Sequence, residues 1–69
     1  MRVYARINHI GWVHLWRTRA AFDAGEASEH FFNGKSDPRW AEAELGDAQR
    51  ALLAAGALVE IEDPGYLEE

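Results

Sequence analysis

His9, His14 and His30 are the only imidazoles in a 69-residue chain that has no cysteine. Without thiolates, they are the natural starting point for any transition-metal site. Zinc asks for three or four convergent ligands at regular spacing. His9 and His14 are five positions apart, which on a strand points them to opposite faces. His30 is distant, with Glu26 and Glu29 near it. No metal and no other cofactor is expected. Ser28, His30 and Asp37 include the residue types of a hydrolytic triad, but no nucleophile elbow or oxyanion context surrounds them. Gly34-Lys35-Ser36 has the tail of a phosphate loop without the earlier glycine that such a loop needs. Acids are plentiful, yet no pair sits in an apolar stretch suited to general acid work. No catalytic residue is assigned, and the expectation is a protein that is not an enzyme.

What remains chemically is adhesive. Three Trp, three Phe and two Tyr are a heavy aromatic load for this length. Each buries roughly 150–250 Å² when packed, so they can fill a small core. They can equally anchor a partner, where Trp and Tyr are enriched. The second reading assigns Trp12, Trp16, Phe31, Phe32 and Trp40 to a contact face. Arg2, Arg6, Arg17 and Arg19 would orient that face against acidic surfaces.

The charge is segregated along the chain. Residues 1–22 hold those four arginines and no acid, a net +4. Residues 23–69 hold all twelve acids against Lys35, Arg39 and Arg50, a net −9. Two readings follow: neutralisation within one fold, or contact of the basic arm with an acidic neighbour or another copy. The acidic half would repel phosphate, so nucleic acid is not an expected partner. No run of 18 apolar residues marks a membrane span, and the N-terminus has no signal-peptide pattern. The expected setting is a soluble protein made in a cytoplasm.

Elements that would position these residues follow from periodicity. Val3, Ala5 and Ile7 alternate with Arg2, Tyr4 and Arg6, predicting a strand over 1–8. A second strand-like stretch over 12–22 puts Val13 and Leu15 on one side and Trp12 and Trp16 on the other. Gly25 suits a turn. A further strand is predicted over 27–32, followed by a loop at Asn33-Gly34. Asp37 as N-cap and Pro38 at the first position start a helical turn over 38–45, where strand-like alternation competes with it. The stretch DAQRALLAAGALVEIE is the organising one. It predicts a helix over 47–55 capped by Asp47, with Ala48, Ala51, Leu52 and Ala55 on its buried face. Gly56 is placed as the left-handed stop, and Leu58, Val59 and Ile61 as a closing strand. The fold expected is α+β: a small antiparallel sheet from residues 1–32 and 57–62, one short C-terminal helix packed on it, then a short strand. Residues 1–63 form a single small domain and 64–69 a loose acidic tail. Whether residues 2–7 pair within the chain or offer an edge to a neighbour stays open.

The order of certain short motifs adds a resemblance. A basic strand pair is followed by Ala21-Phe22-Asp23-Ala24-Gly25-Glu26, by Glu44-Leu45-Gly46-Asp47-Ala48, and by Leu52-Leu53-Ala54-Ala55-Gly56-Ala57-Leu58-Val59-Glu60. This resembles the short structural proteins that tailed bacteriophages encode beside their head and head–tail genes. Those show a strand, an aromatic-x-x-Gly-Glu turn, a second strand, a helix ending Ala-Ala-Gly-Ala and a final strand. The chain departs from the pattern at Ala27, Ser28, Glu29 and His30, where a Val-rich strand would stand, and in an added stretch at 31–39. The resemblance implies a virion component, made in a host cytoplasm, with no catalytic residues to carry over. Its expected partners are a major capsid or other shell protein and copies of itself. The competing expectation is a small acidic regulator, antitoxin-like, that blocks a basic protein. The carboxylates at 42, 44, 60, 62, 63, 68 and 69 motivate it.

Overall fold

Alternation at the start of the chain becomes the centre of the sheet. In the computed structural model, which describes residues 1–68, β1 (Arg2–Ile7) pairs antiparallel with β2 (Trp12–Trp16) and, on its other side, with β4 (Val59–Glu62). β3 (His30–Asn33) pairs antiparallel with β2, so the order is β3-β2-β1-β4. Residues 2–7 are thus not an exposed edge. The fold is α+β, a four-stranded antiparallel sheet with short helices, as the residue pattern predicts.

The inner face of the sheet holds the core. Val3 and Ala5 of β1, Val13 and Leu15 of β2, Phe32 of β3, and Val59 and Ile61 of β4 are all buried, with Leu53 and Leu67 packed over them. Leu15, Ile61, Val3 and Val13 are wholly enclosed. Each such side chain contributes roughly 1.5–3 kcal/mol by leaving water.

The second predicted strand is shorter than its apolar run. The chain leaves the sheet after Trp16, and Thr18 Oγ1 accepts from Ala21 N at 3.1 Å to cap α1 (Arg19–Asp23). Residues 19–22, read as strand, are therefore helix: a Thr cap ahead of two alanines favours a helical turn. The turn also folds Phe22 edge-on against Trp16, with ring centroids 5.0 Å apart.

Asn33-Gly34 ends β3 for a steric reason. A Cβ on Gly34 would sit 2.9 Å from Val13 Cγ2 and 3.1 Å from Gly11 O, so only glycine lets the backbone pass so close. Asp37 then caps α2 (Pro38–Ala41) by accepting from Trp40 N at 3.1 Å, with Pro38 at the start as predicted. The helix is one turn and does not reach residue 45.

α3 (Asp47–Ala54) begins at Asp47 itself, so its cap lies one residue earlier than predicted. Gly46 holds the N-cap position and Asp47 lies in the first turn, where its charge favours the helix dipole. Gly46 has no side chain to accept the Gln49 N–H as a capping box requires, but Gln49 Oε1 supplies the other half, accepting from Gly46 N at 2.7 Å. The buried face is also not the one predicted. Ala48, Ala51, Leu52 and Ala55 are exposed, while Leu53 is buried and Gln49 half-buried. Gln49 Nε2 donates to Glu60 O at 3.0 Å, which turns the 49–53 side of the helix to the sheet. Gly56 follows with φ 81°, the left-handed stop that the spacing predicts.

Residues 64–68 are not a loose tail. Asp63 is buried, and its Oδ1 accepts from Gly65 N and Tyr66 N at 3.0 and 2.8 Å. Its Oδ2 accepts from Leu67 N and Glu68 N at 2.7 and 2.9 Å. One carboxylate thus wraps the segment and plants Leu67 in the core. Glu69, the last residue of the predicted tail, lies outside the described residues.

Candidate functional site

The pleat of the same strands puts the other half of their side chains on an outer face with no helix laid across it. Trp12, His14 and Trp16 of β2 point there, because their neighbours Val13 and Leu15 are in the core. Tyr4 lies opposite Trp16, Arg6 opposite His14, and Phe31 opposite His14 from β3. Glu60 and Glu62 close the face on β4, opposite Tyr4 and Arg2. His14 stacks between Phe31 and Trp16, at 5.6 and 6.1 Å between centroids, and Phe31 also meets Trp12 at 5.7 Å. Phe31 is 57% exposed and Ile10, at the β1–β2 turn, 60%. Asn8, Ile10, Trp12, His14 and Phe31 line a shallow apolar groove on this face.

The aromatic residues singled out from the sequence therefore divide. Trp12, Trp16 and Phe31 are on the outer face. Trp16 is tied down, donating Nε1–H to Glu26 O at 2.9 Å beneath Phe22. Phe32 is buried and Trp40 packs against the core on the inner side, so neither belongs to that contact face. Phe32 instead stacks on Tyr66 at 4.6 Å and meets Trp40 at 5.8 Å. Tyr66 also stacks on His30 at 4.7 Å, carries the Arg39 guanidinium over its ring, and donates its hydroxyl to Asp37. Burial first, and the Asp37 hydrogen bond second, push the Tyr66 phenol up to about 12. The same bond is the main cause holding the Asp37 carboxyl below its ordinary value.

The four N-terminal arginines are mostly engaged within the chain. Arg2 pairs with Glu60 at 3.7 Å, Arg17 with Glu29 at 2.8 Å, and Arg19 with Asp23 at 3.7 Å. Arg6 Nε donates to Gly56 O at 3.1 Å. The opposite charges of the two halves thus meet inside one fold at exposed pairs, each worth about 0–1 kcal/mol. Arg17 and Arg19 lie at the α1 end, away from the apolar groove.

One constellation was not visible from spacing. Ser28 Oγ lies 2.8 Å from His14 Nδ1, and Asn8 Nδ2 lies 3.2 Å from His14 Nε2. Ser, His and Asn in a row invite a catalytic reading, so the direction of the hydrogen bonds decides. Asn8 Oδ1 accepts from Ile10 N and Trp12 N, both at 3.0 Å, which fixes the amide with its NH2 toward His14. Nε2 must then accept, Nδ1 carries the proton, and Ser28 Oγ is an acceptor. A general base needs the reverse polarity toward its nucleophile. The chain of bonds holds the β1–β2 turn and the 28–29 segment against the sheet. His30 and Asp37, from the triad considered above, are drawn to Tyr66 on the other face. Among the described residues, no group of three or more His, Asp or Glu side chains is placed to hold a metal ion. No helix among them is long and apolar enough to cross a membrane.

The half-exposed aromatic face is the candidate site, and sequence reasoning missed His14, Tyr4 and Ile10 as parts of it. Period-two alternation with Trp12 and Trp16 was the signal for His14. Comparison with models of protein families, with curated proteins and with solved structures found no match.

Proposed function

We propose that this chain is a non-enzymatic structural component of a bacteriophage particle, a minor capsid, decoration or head–tail protein. It binds a shell protein in many copies through the outer face of its sheet. The observation that carries the binding reading is that face: Trp12, Phe31 and Ile10 stand exposed or half-exposed around one apolar groove, which Asn8 and His14 complete. Apolar surface bounded by polar residues suits a protein partner. The virion reading rests on the resemblance of the Gly25-Glu26 and 52–60 motifs.

The test is to purify particles from a producing culture and quantify this chain by mass spectrometry against the major shell protein. The expected result is a fixed stoichiometry of many copies per particle, reduced by Trp12→Ala. Loss of one aromatic anchor costs about 2–4 kcal/mol of binding. Absence of the chain from washed particles would remove the virion reading. The acidic-regulator alternative draws on Glu42, Glu44, Glu62 and Asp63, which line one cleft. It predicts one-to-one capture of a basic protein that weakens steeply with salt, and Arg2 and Arg39 in the same cleft count against it.

A further inference from the structure

The two edges of the sheet are finished differently. On β4, the register Val3↔Ile61 and Ala5↔Val59 continues to Asp63, whose N–H donates to Met1 O at 2.8 Å. Residues 59, 61 and 63 therefore turn their backbone groups to β1, and Glu60 and Glu62 turn theirs outward. That edge is closed. Gln49 Nε2 and Arg2 Nη2 both reach Glu60 O, at 3.0 and 3.5 Å, and two exposed carboxylates flank it. Charge on an edge strand opposes further pairing.

On β3, the register Val13↔Phe32 and Leu15↔His30 continues to Gly34, whose N–H donates to Gly11 O at 3.1 Å. His30 and Phe32 turn their backbone groups to β2, so Phe31 turns its N–H and C=O outward. The strand reads HFFN, with no acid, lysine or arginine in it. The exposed Phe31 ring stands directly beside the groove formed with Ile10 and Trp12.

We propose that this chain self-associates through β3, two copies pairing antiparallel about a two-fold axis at Phe31 to make one continuous sheet across both. The edge is self-complementary at Phe31, where each Phe31 N–H donates to the Phe31 C=O of the other copy; beyond it, Asn33 O already accepts from Ser36 N and Asp37 N, and Glu29 N already donates to Leu15 O. Its flanks are complementary in charge. Glu26 precedes the strand and Lys35 follows it, and neither makes an ion pair among the described residues. Antiparallel pairing brings the acidic flank of one copy to the Lys35 flank of the other at both ends. It also sets the two Phe31 rings side by side and joins the two apolar grooves. The inference is independent of the virion reading, since it is tested on the isolated chain and that reading on particles.

Sedimentation equilibrium of the purified chain tests it. The wild type is expected to dimerise. Phe31→Lys is expected to weaken the dimer at least about tenfold, while Glu60→Gln on the other edge leaves it unchanged. Circular dichroism melting shows whether Phe31→Lys still folds. A second variant decides independently of that result. Facing residues of a hydrogen-bonded pair lie about 5.5 Å apart, within disulfide reach, so Phe31→Cys is expected to cross-link under mild oxidation and Glu62→Cys is not. A wild type that stays monomeric overturns the proposal, including one that instead takes up an extended peptide along β3. So does a dimer of undiminished strength in a folded Phe31→Lys, or equal cross-linking from both cysteine variants.

Discussion

Phe31 and Phe32 are neighbours in the chain and lie on opposite faces of the sheet. Phe32 joins Trp40, Tyr66 and His30 in a stack pressed against the core, locked by the Tyr66–Asp37 hydrogen bond and by Arg39 over the Tyr66 ring. Phe31 joins Trp12, His14 and Trp16 in a stack that water still reaches. The inner stack has a lid built from the 63–68 segment, and the outer one has only α1 at one end. Aromatic residues of the same kind thus serve folding on one side and remain available for contact on the other. What separates the two roles is the presence of a covering segment.

The strongest way to break the comparison is to truncate one phenylalanine on each face. Phe32→Ala is expected to cost about 3–5 kcal/mol by opening a cavity against Val13, Trp40 and Tyr66. Phe31→Ala is expected to stay within about 1 kcal/mol in urea unfolding of the dilute chain. Equal losses would mean that both stacks are core. Next in size is the lid. Asp63→Ala removes the acceptor for four backbone N–H groups and is expected to cost about 2–3 kcal/mol, with loss of the near-ultraviolet signal of Tyr66. A smaller effect, about 1 kcal/mol, is expected from Tyr66→Phe, which leaves the stacking and deletes the bond to Asp37.

The pH dependence tests the lid and the N-terminal amine in the same way. For Asp63, burial alone would raise the carboxyl, and the N–H groups of Tyr66, Leu67, Gly65 and Glu68 together outweigh it and lower it. Asp37 is lowered chiefly by the Tyr66 hydroxyl. Both contribute stability that is present above the ordinary value of 3.8 and is lost as pH falls through their lowered folded values. At the alkaline end, hydrogen bonds first to Glu62 and then to Glu68 raise the Met1 amine from 8.0 to about 10. That contribution is complete below 8.0 and lost as pH rises through about 10. Thermal melts are expected to show a plateau between these limits, and acetylating the amine should flatten the alkaline fall between 8.0 and 10 alone.

Much of the fold was legible because its signals are local. Alternation marked β1 and the inner and outer sides of β2, Asp37-Pro38 marked the start of α2, and Gly56 marked the stop of α3. Other features depended on partners far away in sequence. Phe31 and Phe32 are both apolar, so alternation carries no phase there, and only pairing with Val13 decides which one enters the core. The buried face of α3 was misread because alanines suggested it, while the Gln49 bond to Glu60 O sets it. The 64–68 segment looked loose because its acids and Pro64-Gly65 suggest a solvated end. The cause of its order is one carboxylate at Asp63 spanning four amides.

The central place of β1 also shapes how the chain folds. β1, β2 and β3 form a meander whose pairings join residues near in sequence. β4 must then reach β1 across almost the whole described chain, with Val3 against Ile61. Contacts of such long separation carry the largest loop-closure entropy and form slowly. Refolding is therefore expected to divide in time, an early three-stranded meander followed by late docking of α3 and β4. During that interval the free side of β1, with Val3 and Ala5 uncovered, is the surface most open to mispairing.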